Sequence, residues 1–178
     1  MKTKTEKARK LTNHATKAYK DGKKERAIEL YQAAIAEDKY YANAYYKLGT
    51  LYLKEDLYDK AIEYIELAIE NNPRDPIMHN NMGCSYLSKN MYDEAIDHFN
   101  SAIKIDPNYM RPYKNRAKAY REIYMEDRAR NDDNRMQELE QRRITQPQQN
   151  EEVTDGESAE IIKASITTIE EISKEEGE

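Results

Sequence analysis

The chain has 178 residues, 38% of them hydrophobic and 35% charged, with five glycines, one cysteine and a net charge of −5. One thiol excludes an internal disulfide framework and a multi-cysteine zinc site, and so few glycines leave little room for phosphate-cradling loops or tight β-hairpins. No segment approaches the roughly 20 apolar residues of a membrane span. The basic N-terminus has no apolar run behind it, so a soluble, cytoplasmic protein without a secretory signal is expected.

In chain order, Leu11, Ala15 and Ala18 share one helical face, and Ala27, Tyr31 and Ala34 share a second. Tyr45, Leu48, Gly49 and Tyr52 then stand at i, i+3, i+4 and i+7. Asp59-Lys60-Ala61-Ile62 opens the next helix, whose Ala61, Ile65 and Ala68 lie on one face. Pro73 ends it, because proline disfavours helical geometry in the residue before it. The same residue types return 34 positions on as His79, Met82, Gly83, Tyr86, Ala95, Phe99, Ala102 and Pro107, and again as Tyr113, Ala117, Tyr120 and Ala129. Gly49 with Ala61, and Gly83 with Ala95, predict close approach of antiparallel helices. Tyrosine, 15 residues against one phenylalanine and no tryptophan, fills the remaining space. One such hairpin cannot bury its own apolar face, so the copies must stack. Asp133 stands where Tyr31, Ile65 and Phe99 stand in the earlier copies, so the last second helix lacks an ordinary apolar seam. The stretch 113–143 reads as a capping helix, or a helix pair with a solvated outer face. Residues 146–150 are a polar linker. Residues 151–178, with ten acidic residues and two lysines, read as a disordered tail of net charge −8 and leave residues 1–150 at +3. In that tail Ile162, Ile166 and Ile169 predict a short amphipathic helix at 159–172, with Ile161 and Ile172 nearby.

The 34-residue period, with these residues at these places, resembles the tetratricopeptide repeat family from about residue 8 to residue 122 or beyond. The resemblance implies an all-α, right-handed solenoid of stacked antiparallel hairpins. Its repeats fall at about 8–41, 42–75 and 76–109, with a partial or capping copy at 110–143, so that a domain at 1–145 precedes a tail at 146–178. It also implies that the first helix of each hairpin lines a concave surface for a peptide or partner helix. The face opposite Leu48 and Tyr52 carries Asn43, Tyr46, Thr50, Leu53 and Lys54. A shift of 34 gives Arg9, Thr12, Thr16, Tyr19 and Lys20 in the first copy and Ile77, Asn80, Cys84, Leu87 and Ser88 in the third. The fourth copy supplies Arg111, Lys114, Lys118, Arg121 and Glu122. Seven of these are cationic and only Glu122 is anionic, and such a surface steers acidic segments toward itself. The expected function is a non-enzymatic adaptor or scaffold, without cofactor, that binds an acidic or amphipathic segment of a partner protein, as a co-chaperone or complex-assembly factor would.

Some members of the family hold the acidic C-terminus of a heat-shock chaperone in a clamp of two lysines, two asparagines and an arginine. The better register here, Tyr46, Thr50, Asn81, Arg111 and Asn115, keeps only Asn81 and Arg111; the other holds Thr12, Thr16, Lys47, Ile77 and Asn81. That ligand is therefore not expected. Asn81 and Asn115 make two rungs of an amide ladder able to hold a peptide backbone, interrupted at Lys47, and ordinary polar surface explains them equally well. The acidic segment 157–176 is itself a candidate occupant of the groove, in cis or across a dimer.

Candidate chemistry is thin. His14, His79 and His98 have no second ligand at metal spacing; the first two read as packing residues and His98 as surface. No histidine or basic pair in sequence activates Cys84. Asp132 and Asp133 read as solvated, and P-loop, HExxH, GxSxG and CxxC motifs are absent. Two alternatives to the peptide groove stay open. Arg111, Lys114, Arg116, Lys118, Arg121, Arg128 and Arg130, interleaved with Tyr113, Tyr120 and Tyr124, form a basic stretch for nucleic acid, against which the acidic tail argues. Exposed solenoid ends allow self-assembly.

Overall fold

Alanine, glycine and tyrosine at fixed places in the 34-residue period build eight α-helices in the computed structural model, which describes residues 3–145. They are α1 (Lys4–Lys20), α2 (Lys24–Glu37), α3 (Ala42–Lys54), α4 (Tyr58–Asn71), α5 (Pro76–Ser88), α6 (Tyr92–Ile105), α7 (Met110–Glu122) and α8 (Glu126–Thr145). No strand occurs among the described residues, and no described helix is long and apolar enough to cross a membrane. One compact unit runs to Leu139 and holds the features discussed below; a second begins at Glu140, and its described part, 140–145, is the end of α8. The expectations for the linker, the helix at 159–172 and the docking segment 157–176 lie outside the described residues.

Local signals set the helix ends. Asp75 accepts the Ile77 backbone N–H at 2.9 Å, with Pro76 as the first helical residue. Helices α4 and α6 stop at Asn71 and Ile105, two residues before Pro73 and Pro107. Every hairpin turns through a left-handed residue at the same point of the period: Gly22 (φ 76°), Asp56 (57°), Asn90 (59°) and Tyr124 (61°). The next backbone N–H reaches back to the helix in each case, Lys23 to Ala18 O at 2.9 Å, Leu57 to Tyr52 O at 3.0 Å, Met91 to Tyr86 O at 3.0 Å and Met125 to Tyr120 O at 2.8 Å. This is a Schellman closure repeated four times.

Small residues then let the helices close on each other. A Cβ at Gly49 would lie 2.7 Å from Ile65 Cγ1 and 3.1 Å from the Ile65 backbone nitrogen, and one at Gly83 would lie 2.5 Å from the Phe99 ring. Ala15, Ala27, Tyr31, Leu48, Tyr52, Ala61, Ile65 and Met82 form one buried cluster through the first three hairpins, and Ile96, Ala117, Ala119, Tyr120 and Ala129 carry the core into the fourth. An aromatic pair recurs with the period: Tyr52 with Tyr64 at 5.5 Å between ring centroids, then Tyr86 with His98 at 5.4 Å. His98 is therefore not the surface residue expected. It stacks on Tyr86 and, at 5.9 Å, on His79, and the Nδ1 atoms of both histidines are buried without a partner. His14 departs in the other direction. Its counterparts Leu48 and Met82 are buried against the preceding hairpin, whereas α1 has none before it among the described residues, and His14 is exposed.

The fourth copy forms a helix pair, and charge replaces apolar packing inside it. Where the second hairpin sets Leu48 and Tyr64, and the third Met82 and His98, the fourth sets Arg116 and Asp132. Arg116 Nε and Nη2 donate to Asp132 Oδ2 and Oδ1 at 2.9 and 2.6 Å, and its Nη1 donates to Asn100 on α6. Asp132 is 4% exposed, so the expectation of a solvated carboxylate fails for it. Arg121 pairs with Asp133. Adjacent hairpins are bridged between their turns by two ion pairs of opposite sense, Lys24 on α2 with Glu55 after α3 (2.8 Å) and Asp59 on α4 with Lys89 after α5.

Candidate protein-binding surface

The first helices of the hairpins adjoin in order, α1 against α3, α3 against α5 and α5 against α7. Side chains on their shared face either settle between neighbouring helices or stand clear of them, and each inner-face residue falls on one side of that division.

On α1, Thr12 is 1% exposed and its Oγ1 has no partner, so it is a contact between helices and not a groove residue. Thr16 Oγ1 donates to the Thr12 carbonyl at 3.0 Å and lies 3.0 Å from the Tyr31 hydroxyl on α2, which turns it into its own hairpin. Tyr19 donates to Glu55 at 3.4 Å, and Lys54 Nζ lies 5.4 Å from the centre of the Tyr19 ring. Arg9 and Lys20 remain exposed at this end.

Between α3, α5 and α7 the polar side chains are spent on each other. Thr50 donates to the Tyr46 carbonyl at 2.7 Å, and Asn43 lies 3.4 Å from the Tyr41 hydroxyl. Asn81 Nδ2 donates to the Tyr46 hydroxyl at 2.9 Å; Asn115 Nδ2 donates to Asn80 Oδ1 at 3.0 Å and lies 3.2 Å from Cys84 Sγ. Asn80, 3% exposed, also donates to Asn81 Oδ1 at 3.2 Å, so it too leaves the open surface. Tyr46 with Asn81 and Asn80 with Asn115 are the same rung, 35 residues across, in successive interfaces. The amide donors of Asn81 and Asn115 thus join inner helices to each other instead of waiting for a peptide. The matching pair at the first interface is Thr12 with Lys47, and there no rung forms: Lys47 Nζ sits over the Tyr46 ring at 5.4 Å. Leu53 and Leu87 are half-buried against the two cores, and Ile77 is 46% exposed.

The open part of the surface lies toward α7. Arg111, Lys114 and Lys118, at i, i+3 and i+7, are exposed, and no described carboxylate lies within ion-pair distance of them. Cys84 lies close enough to feel Arg111 and Lys118, which favour its thiolate, but burial outweighs them and pushes the thiol up to about 11. Burial thus favours the protonated thiol, which is a poorer nucleophile than a thiolate. Tyr109, which the helical pattern missed because it precedes α7, is half-buried beside Arg111, and burial raises its hydroxyl pKa. Its period-mate Tyr41 stands at the same place before α3, a signal that reading only helical positions discards. Arg121 is exposed but is paired with Asp133. The interleaved basic stretch does not form one face either: Arg116 is held by Asp132, Tyr113 and Tyr120 are buried, and Arg128 lies 5.7 Å from the Tyr120 ring centre. Among the described residues no group of three or more His, Cys, Asp or Glu side chains is placed to hold a metal.

Two models of the tetratricopeptide repeat match the chain, over residues 12–76 and 76–109. No curated protein sequence matches it. Among solved structures, a crystal structure of MamA superposes with a TM-score of 0.73 at 25% identity, covering 78% of this chain and 81% of that one. A second MamA crystal structure gives 0.70 at 24%, covering 83% and 78%. MamA residues 41 to the end from Desulfovibrio magneticus RS-1 give 0.69 at 18%, covering 75% and 76%, which is a likeness of fold.

Proposed function

Because the chain belongs to the tetratricopeptide repeat family, whose solenoids are protein-interaction scaffolds, we propose that it is an adaptor whose α5–α7 face binds an acidic or amphipathic segment of another protein, in the service of complex assembly. The observation that carries this reading is the open row of Arg111, Lys114 and Lys118 on a helix whose other cations, Arg116 and Arg121, are already paired with aspartates. Inner helices already bonded to each other need little ordering on binding, and so more of the contact energy appears as affinity. A partner carboxylate that pairs with an exposed lysine gains on-rate more than strength, whereas Ile77 and the half-buried Tyr109 supply area that a wholly polar peptide would not use.

The test uses the full chain and two labelled peptides of equal length and matched apolar content, one glutamate-rich and one lysine-rich. The acidic peptide binds, its affinity falls with rising salt, and Lys114→Glu with Lys118→Glu weakens it by about tenfold or more. Equal binding of both peptides, or indifference to the charge reversal, would remove the reading.

A further inference from the structure

The fourth hairpin turn carries a residue its backbone does not favour. Only glycine, and to a lesser degree asparagine and aspartate, takes the left-handed region readily, because a Cβ there crowds the carbonyl that follows. The chain follows that rule at three of its four equivalent turns, with Gly22, Asp56 and Asn90, and breaks it at Tyr124, where φ is 61°. At the second and third turns the residue also serves the fold: Asp56 accepts the Tyr58 hydroxyl at 2.7 Å and Asn90 that of Tyr92 at 3.0 Å. The fourth turn has Glu126 in place of that tyrosine, so this staple is lost as well. Tyr124 gains nothing from packing in return, being 93% exposed, the most exposed large hydrophobic side chain among the described residues.

Its surroundings have a definite character. Met125 is 39% exposed, and a shallow hollow of about 310 Å³ runs along Tyr124 to Arg128. Of the cations nearby, Arg121 pairs with Asp133 and Arg130 lies 3.9 Å from Asp127, while Arg128, which lines the hollow, lies over the Tyr120 ring. Glu122 and Glu126 flank the tyrosine, are exposed and face no described cation within pairing distance. The turn therefore presents an aromatic and a thioether side chain between two open carboxylates. Aromatic anchors of this kind dominate binding energy at interfaces, and a cation over the tyrosine face would be drawn by ring and carboxylates together.

We infer that the Tyr124 turn is a second protein-docking surface, which inserts Tyr124 and Met125 into an apolar pocket rimmed by lysine or arginine on another protein. It lies at the turn end of the fourth hairpin, where Glu122 stands one helical turn beyond Lys118, and takes the opposite charge. An adaptor so equipped joins an acidic segment to a basic-rimmed partner.

The test is selection of a displayed library of random twelve-residue peptides on the full chain, with Tyr124→Gly and with Glu122→Lys/Glu126→Lys in parallel. Peptides that depend on Tyr124 should combine arginine or lysine with leucine or phenylalanine, be lost on both variants, and be retained on Arg111→Glu/Lys114→Glu, which leaves the turn next to Glu122 untouched. Tyr124→Gly should also melt about 2–4 °C higher than the parent, which shows that the variant folds and that the tyrosine is not there for stability. Absence of Tyr124-dependent peptides, or acidic ones in their place, would overturn the proposal. So would a Tyr124-dependent dimer in sedimentation equilibrium, which would make a second copy of the chain the occupant.

Discussion

A hydroxyl with no partner and a glycine with no room make opposite predictions. Thr12 buries Oγ1 unpaired where later interfaces make a hydrogen bond. Thr12→Val keeps the shape and removes the stranded group, and should raise unfolding stability by about 1 kcal/mol in urea titration. Gly83→Ala gains helix propensity but drives a methyl into the rigid, fully buried Phe99 ring, and should cost about 1–2 kcal/mol net by the same measurement. His98 supplies a pH dependence. Burial first, and then the neighbouring His79, hold its imidazole below the usual histidine range, with Asp97 acting against them. Its folded pKa is thus below that of the unfolded chain, at about 6.5, so between the two the unfolded chain binds the proton. Stability should be complete above that pH and decline as pH falls through it. His98→Tyr, which copies Tyr64 one repeat earlier, should flatten the decline when urea midpoints are compared from neutral to mildly acidic pH.

Between elements, the fourth hairpin tests whether an ion pair can stand in for a seam. Removing Asp132 alone, as Asp132→Ala, leaves the Arg116 guanidinium largely buried without its bidentate partner and should cost about 3 kcal/mol. Replacing both with the second hairpin's residues, Arg116→Leu with Asp132→Tyr, should recover most of that loss, and a double-mutant cycle in urea reads the coupling directly. This substitution also marks where sequence reading stopped. The repeat, its hairpins and its close glycine contacts were legible, because stacking demands the same small and apolar residues every 34 positions. The pairing of Arg116 with Asp132 was not, because both lie in runs of charge where a helical wheel assigns them to solvent. Thr12 and Asn80 escaped for a related reason. A wheel finds the inner face but not the crevice between one inner helix and the next, and that crevice decides which inner residues stay open.

At the scale of the whole stack, stability is a sum of hairpins and the interfaces between them. Hydrogen exchange should be slowest in α3 to α6, which have a hairpin on either side, and faster in α1, which has none before it among the described residues and lacks a hydrogen-bonded rung to α3. Equal protection along the stack would contradict that picture. The two ion pairs that bridge successive turns, Lys24 with Glu55 and Asp59 with Lys89, carry a further consequence because their senses are reversed. Set the second hairpin after itself, and Asp59 of one copy meets Glu55 of the next, like against like. Set the third directly after the first, and Lys89 meets Lys24 together with Glu25, the period-mate of Asp59. Each contact is weak where solvent reaches it, so these charges bias which hairpins accept one another without fixing their order. A tandem array could therefore grow by copying the first hairpin, whose Lys24 would meet Asp21 of its copy, or the third, whose Asp93 would meet Lys89. A gene that duplicated the second would instead encode a protein discordant at the seam from its first generation.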